Sequence, residues 1–128
     1  MKDARILVVD DEPAVLEVLR TALEEQGYEV VTTESAIEAE SLITSATIDL
    51  ALLDVGMHGL RLGRKALAVG MPFILMSGMP VVIEMGELGA VLRKPFRLAE
   101  VTRIIERGLE RSRREARVAL GVGVAGAA

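Results

Sequence analysis

Five side chains in this sequence share a placement that suits phosphoryl chemistry. Asp10 and Asp11 follow the apolar run RILVV, Asp54 follows LALL, Ser77 follows FILM, and Lys94 follows AVLR. If each run is a strand of one parallel sheet, all five lie at its C-terminal edge, where open α/β sheets bind their ligands. Each residue alone has an ordinary explanation: Asp11 as a helix cap, Asp54 as a turn former, Ser77 beside Gly78 as a turn, Lys94 as a surface charge. Their joint placement is what those explanations leave unaccounted for. Three carboxylates converging on one pocket repel one another unless a cation sits among them, and oxygen donors without cysteine or clustered histidine favour a hard ion such as Mg²⁺. A lysine and a hydroxyl opposite them suit a phosphoryl group. An aspartate can itself be the nucleophile and form an acyl phosphate. The transfer then needs in-line positioning and neutralisation of the phosphoryl oxygens.

The elements that must hold these groups are legible as apolar runs alternating with helical periodicity, the pattern of a parallel sheet covered on both faces. Five strands are predicted: Arg5 to Val9, Glu29 to Thr32, Leu50 to Leu53, Phe73 to Met76, and Ala90 to Arg93. A first helix spans Pro13 to Gln26, with Pro in its first turn, a stripe of Val15, Leu16, Leu19, Ala22 and Leu23, and Gly27 to stop it. Ser35 and Glu38 have the spacing of a capping box for a second helix, with Ile37, Leu42 and Ile43 facing inward. Short third and fourth helices are expected over Leu60 to Val69 and about Val81 to Glu87. A last helix from about Leu98 should bury Leu98, Val101, Ile104, Ile105 and Leu109, then run into solvent where arginine accumulates. The string GVGVAG matches a dinucleotide fingerprint, but that loop works only between a strand and a helix N-terminus, and with two residues after it here the match is expected to be accidental.

With 128 residues, 51% of them apolar, the chain suits one well-cored domain. There is no cysteine, which excludes disulfides, thiolate metal sites and cysteine nucleophiles. No apolar run is long enough to span a bilayer and the N-terminus is unlike a signal peptide, so the expectation is a cytoplasmic protein without membrane contact. Residues 1 to 60 carry 13 acids against 3 bases, and residues 61 to 128 carry 6 acids against 12 bases. The acidic half suits a cation.

The motifs VVDDEP, LLDVGM, MSG and RKPF, in that order on those strands, resemble the receiver domains of two-component response regulators, chemotaxis-regulator-like in type. The likeness spans roughly residues 4 to 109. It implies a doubly wound five-stranded sheet of order 2-1-3-4-5, the flavodoxin-like receiver fold. It further implies that Asp54 is the phosphoacceptor, that Asp11 binds Mg²⁺ (or Mn²⁺) directly with Asp10 acting directly or through water, and that Asp54 and the Gly56 carbonyl complete the metal set. Lys94 would pair with phosphoryl oxygens, Pro95 would shape its loop through a cis bond, and Ser77 would hydrogen-bond the phosphoryl group. The implied partners are a histidine kinase or histidine phosphotransfer protein upstream and a protein target downstream, with no direct nucleic acid contact and a monomer or weak dimer as the unit. The expected domain is 1–110, followed by an Arg-rich helix extension and flexible tail over 111–128. With 34 residues after Lys94 there is no room for a DNA-binding output domain, so a single-domain regulator is expected, though a receiver excised from a hybrid kinase has the same sequence features.

Several positions depart from that family. Val91 stands three residues before Lys94, where an aromatic ring is usual, so an aromatic rotamer switch is unavailable. Output should then pass through loop or helix movement, such as ordering of the short fourth helix. His58, the sole histidine, replaces a usual proline and reads as an exposed loop residue. Gly56 and Met79 lack groups that would orient or obstruct water, so dephosphorylation should take minutes or longer. Arg103, Arg107, Arg111 and Arg114 form a stripe that Glu100 and Glu110 can neutralise, or that can dock an acidic partner surface. Two other readings use the same residues: a non-phosphorylated pseudoreceiver acting as a binding module, and an aspartate-nucleophile phosphohydrolase. Against the hydrolase, Asp10, Asp11 and Glu12 do not make its Asp-x-Asp pattern, and a substrate-covering cap has no room. The chain is thus expected to be a phosphoacceptor and not a turnover enzyme.

Overall fold

Neighbouring residues of the central strands are buried on opposite faces, which is why their sequences read as unbroken apolar runs. Ile6, Val8, Leu50, Leu52, Ile74 and Met76 enter one hydrophobic cluster, and Leu7, Val9, Ala51, Leu53, Phe73 and Leu75 enter the other. The computed structural model describes residues 3–79 and 89–119. Its elements, in chain order, are β1 (Arg5–Val9), α1 (Pro13–Glu25), β2 (Glu29–Thr33), α2 (Ala36–Thr44), β3 (Leu50–Asp54), a 3₁₀ turn (Val55–Met57), α3 (Gly59–Ala68), β4 (Phe73–Ser77), β5 (Gly89–Arg93) and α4 (Leu98–Ala119). The strands are all parallel, in the order β2-β1-β3-β4-β5. The fourth helix expected over Val81 to Glu87 lies outside the described residues.

The first cluster is covered by α1, through Leu16, Leu19 and Leu23, and by α4, through Val101, Ile105 and Leu109. The second is covered by α2, through Ala39 and Ile43, and by α3, through Leu62 and Ala66. Each fully buried Leu or Ile contributes about 1.5–3 kcal/mol from removal of apolar surface. The sheet edge above these layers is therefore a rigid platform. Gly108 lets α4 settle closely on the face of the sheet, because a β-carbon there would come within 2.8 Å of Leu50 Cδ1.

Two apolar residues fall outside this packing, contrary to their periodicity. Ile37 is 83% exposed and Leu98 is 45% exposed. Both lie in the opening turn of their helix. The capping box at α2 is half formed: the Ser35 hydroxyl accepts from Glu38 N–H at 3.1 Å, but the Ser35 amide donates to Thr33 Oγ1 at 3.0 Å and not to Glu38. Gly27 ends α1 with φ of +96°, as its sequence position suggested. Helix α4 runs unbroken for 22 residues, and beyond Leu109 its side chains are mostly exposed. Glu100 is spent on the Arg97 amide at 3.1 Å, and among the described residues neither Arg103 nor Arg114 forms an ion pair. No described helix is long and apolar enough to cross a membrane.

Candidate functional site

At the C-terminal edge of the sheet, β1, β3 and β5 deliver one acid, one acid and one base to a common point. Asp10 follows directly on β1 and is fully buried. Its Oδ2 accepts from Lys94 Nζ at 2.8 Å, and its Oδ1 accepts from the Glu12 amide at 3.0 Å. Asp54 is the last residue of β3, which runs one residue beyond the Leu53 end its sequence suggested, and its side chain is only 12% exposed. Its Oδ1 accepts from Lys94 Nζ at 3.0 Å. Lys94 sits one residue past β5, its backbone N–H donating to the Ser77 carbonyl at 2.7 Å, and the Lys94–Pro95 bond is cis.

Lys94 is thus a bridge between two carboxylates that would otherwise repel. Partial burial by itself would lower the pKa of the ammonium. The hydrogen bonds and charges of Asp10 and Asp54 outweigh it and hold the pKa above the ordinary 10.5. The lysine is charged throughout the neutral range.

Asp11 and Glu12 are exposed beside Asp10, and carboxylate oxygens of the three lie within 4.8 Å of one another. Glu12 Oε1 is 4.0 Å from Lys94 Nζ. The sequence reading did not single out Glu12. The available signal was its place as the third consecutive acid after a strand, at a position usually read only as a helix start.

The turn after Asp54 is shaped by missing side chains. A β-carbon on Gly56 would stand 3.2 Å from Asp54 Oδ2, and one on Gly59 would overlap the Asp54 backbone carbonyl. His58 enters α3 in the left-handed region, at φ of 60°, and is exposed, as a loop residue should be. Among the described residues, Asp54 Oδ2 accepts no hydrogen bond, so one oxygen stays uncommitted beside the opening at Gly56.

Ser77 ends β4 at the same edge and is buried, but its hydroxyl is turned to its own loop. It donates to the Met79 carbonyl at 2.6 Å and accepts from the Met79 amide at 3.1 Å. The structure therefore joins Asp10, Asp54 and Lys94 directly and sets Asp11, Glu12, Gly56 and Pro95 around them. Ser77 is adjacent but engaged elsewhere. Val91, half-buried in β5, packs against the cluster under α2 and α3.

The donor set fits a hard divalent cation. Every candidate ligand is oxygen, the carboxylates outnumber the one ammonium, and Gly56 leaves open the space beside Asp54 that a side chain would narrow.

Known proteins resemble this chain in sequence and in fold. The transcriptional regulatory protein GlrR of Escherichia coli K12 is 31% identical over 121 residues, covering 87% of this chain and 27% of the relative. The alginate biosynthesis transcriptional regulatory protein AlgB of Pseudomonas aeruginosa is 48% identical over 54 residues, 42% of this chain and 12% of the relative. This chain thus spans a small part of the curated relatives it matches. Among solved structures, a CheY-like response regulator receiver domain protein from Methanospirillum hungatei JF-1 superposes with a TM-score of 0.77 at 30% identity, covering 88% of this chain and 98% of that one. NtrX from Brucella abortus reaches a TM-score of 0.79 at 27% identity, over 91% of this chain and 29% of that one. The family described as the response regulator receiver domain matches residues 6–106. With that match laid over the same five-stranded order and strand-edge acids, the chain belongs to the response regulator receiver domains of two-component systems.

Proposed function

We propose that Asp54 accepts a phosphoryl group from a phosphohistidine on a histidine kinase or phosphotransfer protein, and that the chain then acts on a protein target. The observation that carries this is the Lys94 ammonium, held at 2.8 Å from Asp10 and 3.0 Å from Asp54 at a buried strand edge. A fixed cation beside a half-committed carboxylate is what a dianionic phosphoryl group requires on arrival. In the transfer, an Asp54 oxygen forms the new P–O bond while the P–N bond of the donor breaks, its electron pair staying on the imidazole nitrogen. Lys94 then exchanges part of its contact with Asp54 for the phosphoryl oxygens. A divalent cation, when bound by Asp11, Asp54 and the Gly56 carbonyl, supplies the remaining charge neutralisation. Asp10 serves as the anchor of Lys94, because both of its oxygens are already engaged.

Ser77 must change partners to reach the phosphoryl group, releasing the Met79 backbone. With Val91 in place of a ring, that exchange is the route by which the loop after β4 learns the state of Asp54. The test is intact-mass spectrometry after incubation with acetyl phosphate and Mg²⁺. The wild type should gain one phosphoryl mass and Asp54→Asn none. An unmodified wild type would instead support a binding module that works without phosphorylation, and steady release of phosphate from a monoester would support a hydrolase.

A further inference from the structure

We propose that Glu12 is a further member of the cation pocket, an outer-rim carboxylate that raises divalent-cation affinity and shares the Lys94 ammonium with Asp10 and Asp54. This rests on reading Asp54 as a phosphoacceptor that works with a bound cation. Glu12 occupies the N-cap of α1, where a side chain ordinarily accepts from the first free amides of the helix. It makes no such bond. Its carboxylate lies instead with those of Asp10 and Asp11, within 4.8 Å, and 4.0 Å from Lys94 Nζ.

The environment of Asp10 gives that placement a purpose. Asp10 is fully buried, one oxygen bound to Lys94 and the other to the Glu12 amide. The carboxylates that an incoming cation meets first are therefore the exposed pair, Asp11 and Glu12. The positive end of α1 behind them offsets part of their mutual repulsion. A single negative charge near a dication, in a largely aqueous setting, corresponds to about threefold to tenfold in affinity. Because Glu12 is exposed, salt should erode that contribution.

The test is calorimetric titration of the full chain with Mg²⁺ in the absence of any phosphodonor, for wild type, Glu12→Gln and Glu12→Asp. At low salt, Glu12→Gln should raise Kd by about threefold to tenfold, with Glu12→Asp recovering most of the loss and both variants unfolding at the wild-type temperature. In ~0.5 M KCl the gap should close to less than about twofold. Equal affinities for wild type and Glu12→Gln at low salt would overturn the role of Glu12 and leave Asp54 untouched, as would a gap that salt does not change. Absence of Mg²⁺ binding by the wild type would overturn this proposal together with the cation-dependent reading of Asp54 on which it rests.

Discussion

The two sides of the pocket are organised on opposite principles. On the β1, β3 and β5 side, Lys94 already grips Asp10 and Asp54, so the charges that the proposed phosphoryl group would meet are in place beforehand. On the β4 side, Ser77 spends its hydroxyl on the Met79 backbone, both as donor and as acceptor. The first side is preorganised by electrostatics at a rigid strand edge. The second is a hydroxyl closed on the Met79 backbone, which the proposed phosphoryl contact would require to open. Under the proposed function, chemistry and response are assigned to different groups: the ionic side would govern transfer, and the hydroxyl side would report it.

Breaking the ionic side should have the largest effects. Asp54→Asn should abolish phosphoryl uptake from any donor, checked by intact mass. Lys94→Met leaves the buried Asp10 facing Asp54 without its counter-charge. We expect a loss of about 2–3 kcal/mol in urea unfolding and near-complete loss of phosphorylation, with added Mg²⁺ restoring more stability to the variant than it adds to the wild type. The pH dependence has a defined sign. The folded pKa of Lys94 lies above 10.5, so its stabilisation is fully present below 10.5 and is lost as pH rises through the higher folded value. The stability gap between wild type and Lys94→Met should accordingly be flat around neutrality and shrink only in strong alkali.

Changes on the hydroxyl side should be milder and different in kind. Ser77→Ala removes two local hydrogen bonds, for a loss of about 1 kcal/mol, and should still take up the phosphoryl group. What it should lose is the change at the Met79 amide on phosphorylation, visible in amide NMR spectra. If Ser77→Ala is instead as defective in uptake as Lys94→Met, the division between the two sides fails. The smallest effect is expected at Gly56→Ala. Its β-carbon would stand 3.2 Å from Asp54 Oδ2, so uptake should slow by about threefold to tenfold while stability changes by less than about 0.5 kcal/mol.

The same contrast marks what could be read from the sequence. The convergence of Asp10, Asp54 and Lys94 was legible because a strand end is a topological address, and parallel order sends every such end to one edge. The five strands were placed to within a residue at each end. Which way the Ser77 hydroxyl points was not legible, since that depends on how the following loop folds back onto it. Glu12 escaped notice because an acid before Pro13 reads as a helix start, and only the three-dimensional turn brings it toward Lys94. Ile37 and Leu98 continue an apolar period yet stay exposed, and periodicity carries no information about where a partner surface ends.

The central claim is that the Asp54 carboxylate is the acceptor of an N-linked phosphoryl group. It is tested most directly by treating the chain with phosphoramidate and Mg²⁺, trapping the product with borohydride, and mapping the modified residue by peptide mass spectrometry. Reduction to homoserine is expected at position 54, dependent on both reagents and absent in Asp54→Asn. Homoserine at Asp10 or Asp11, or an unmodified chain under conditions that label another receiver domain, would contradict it.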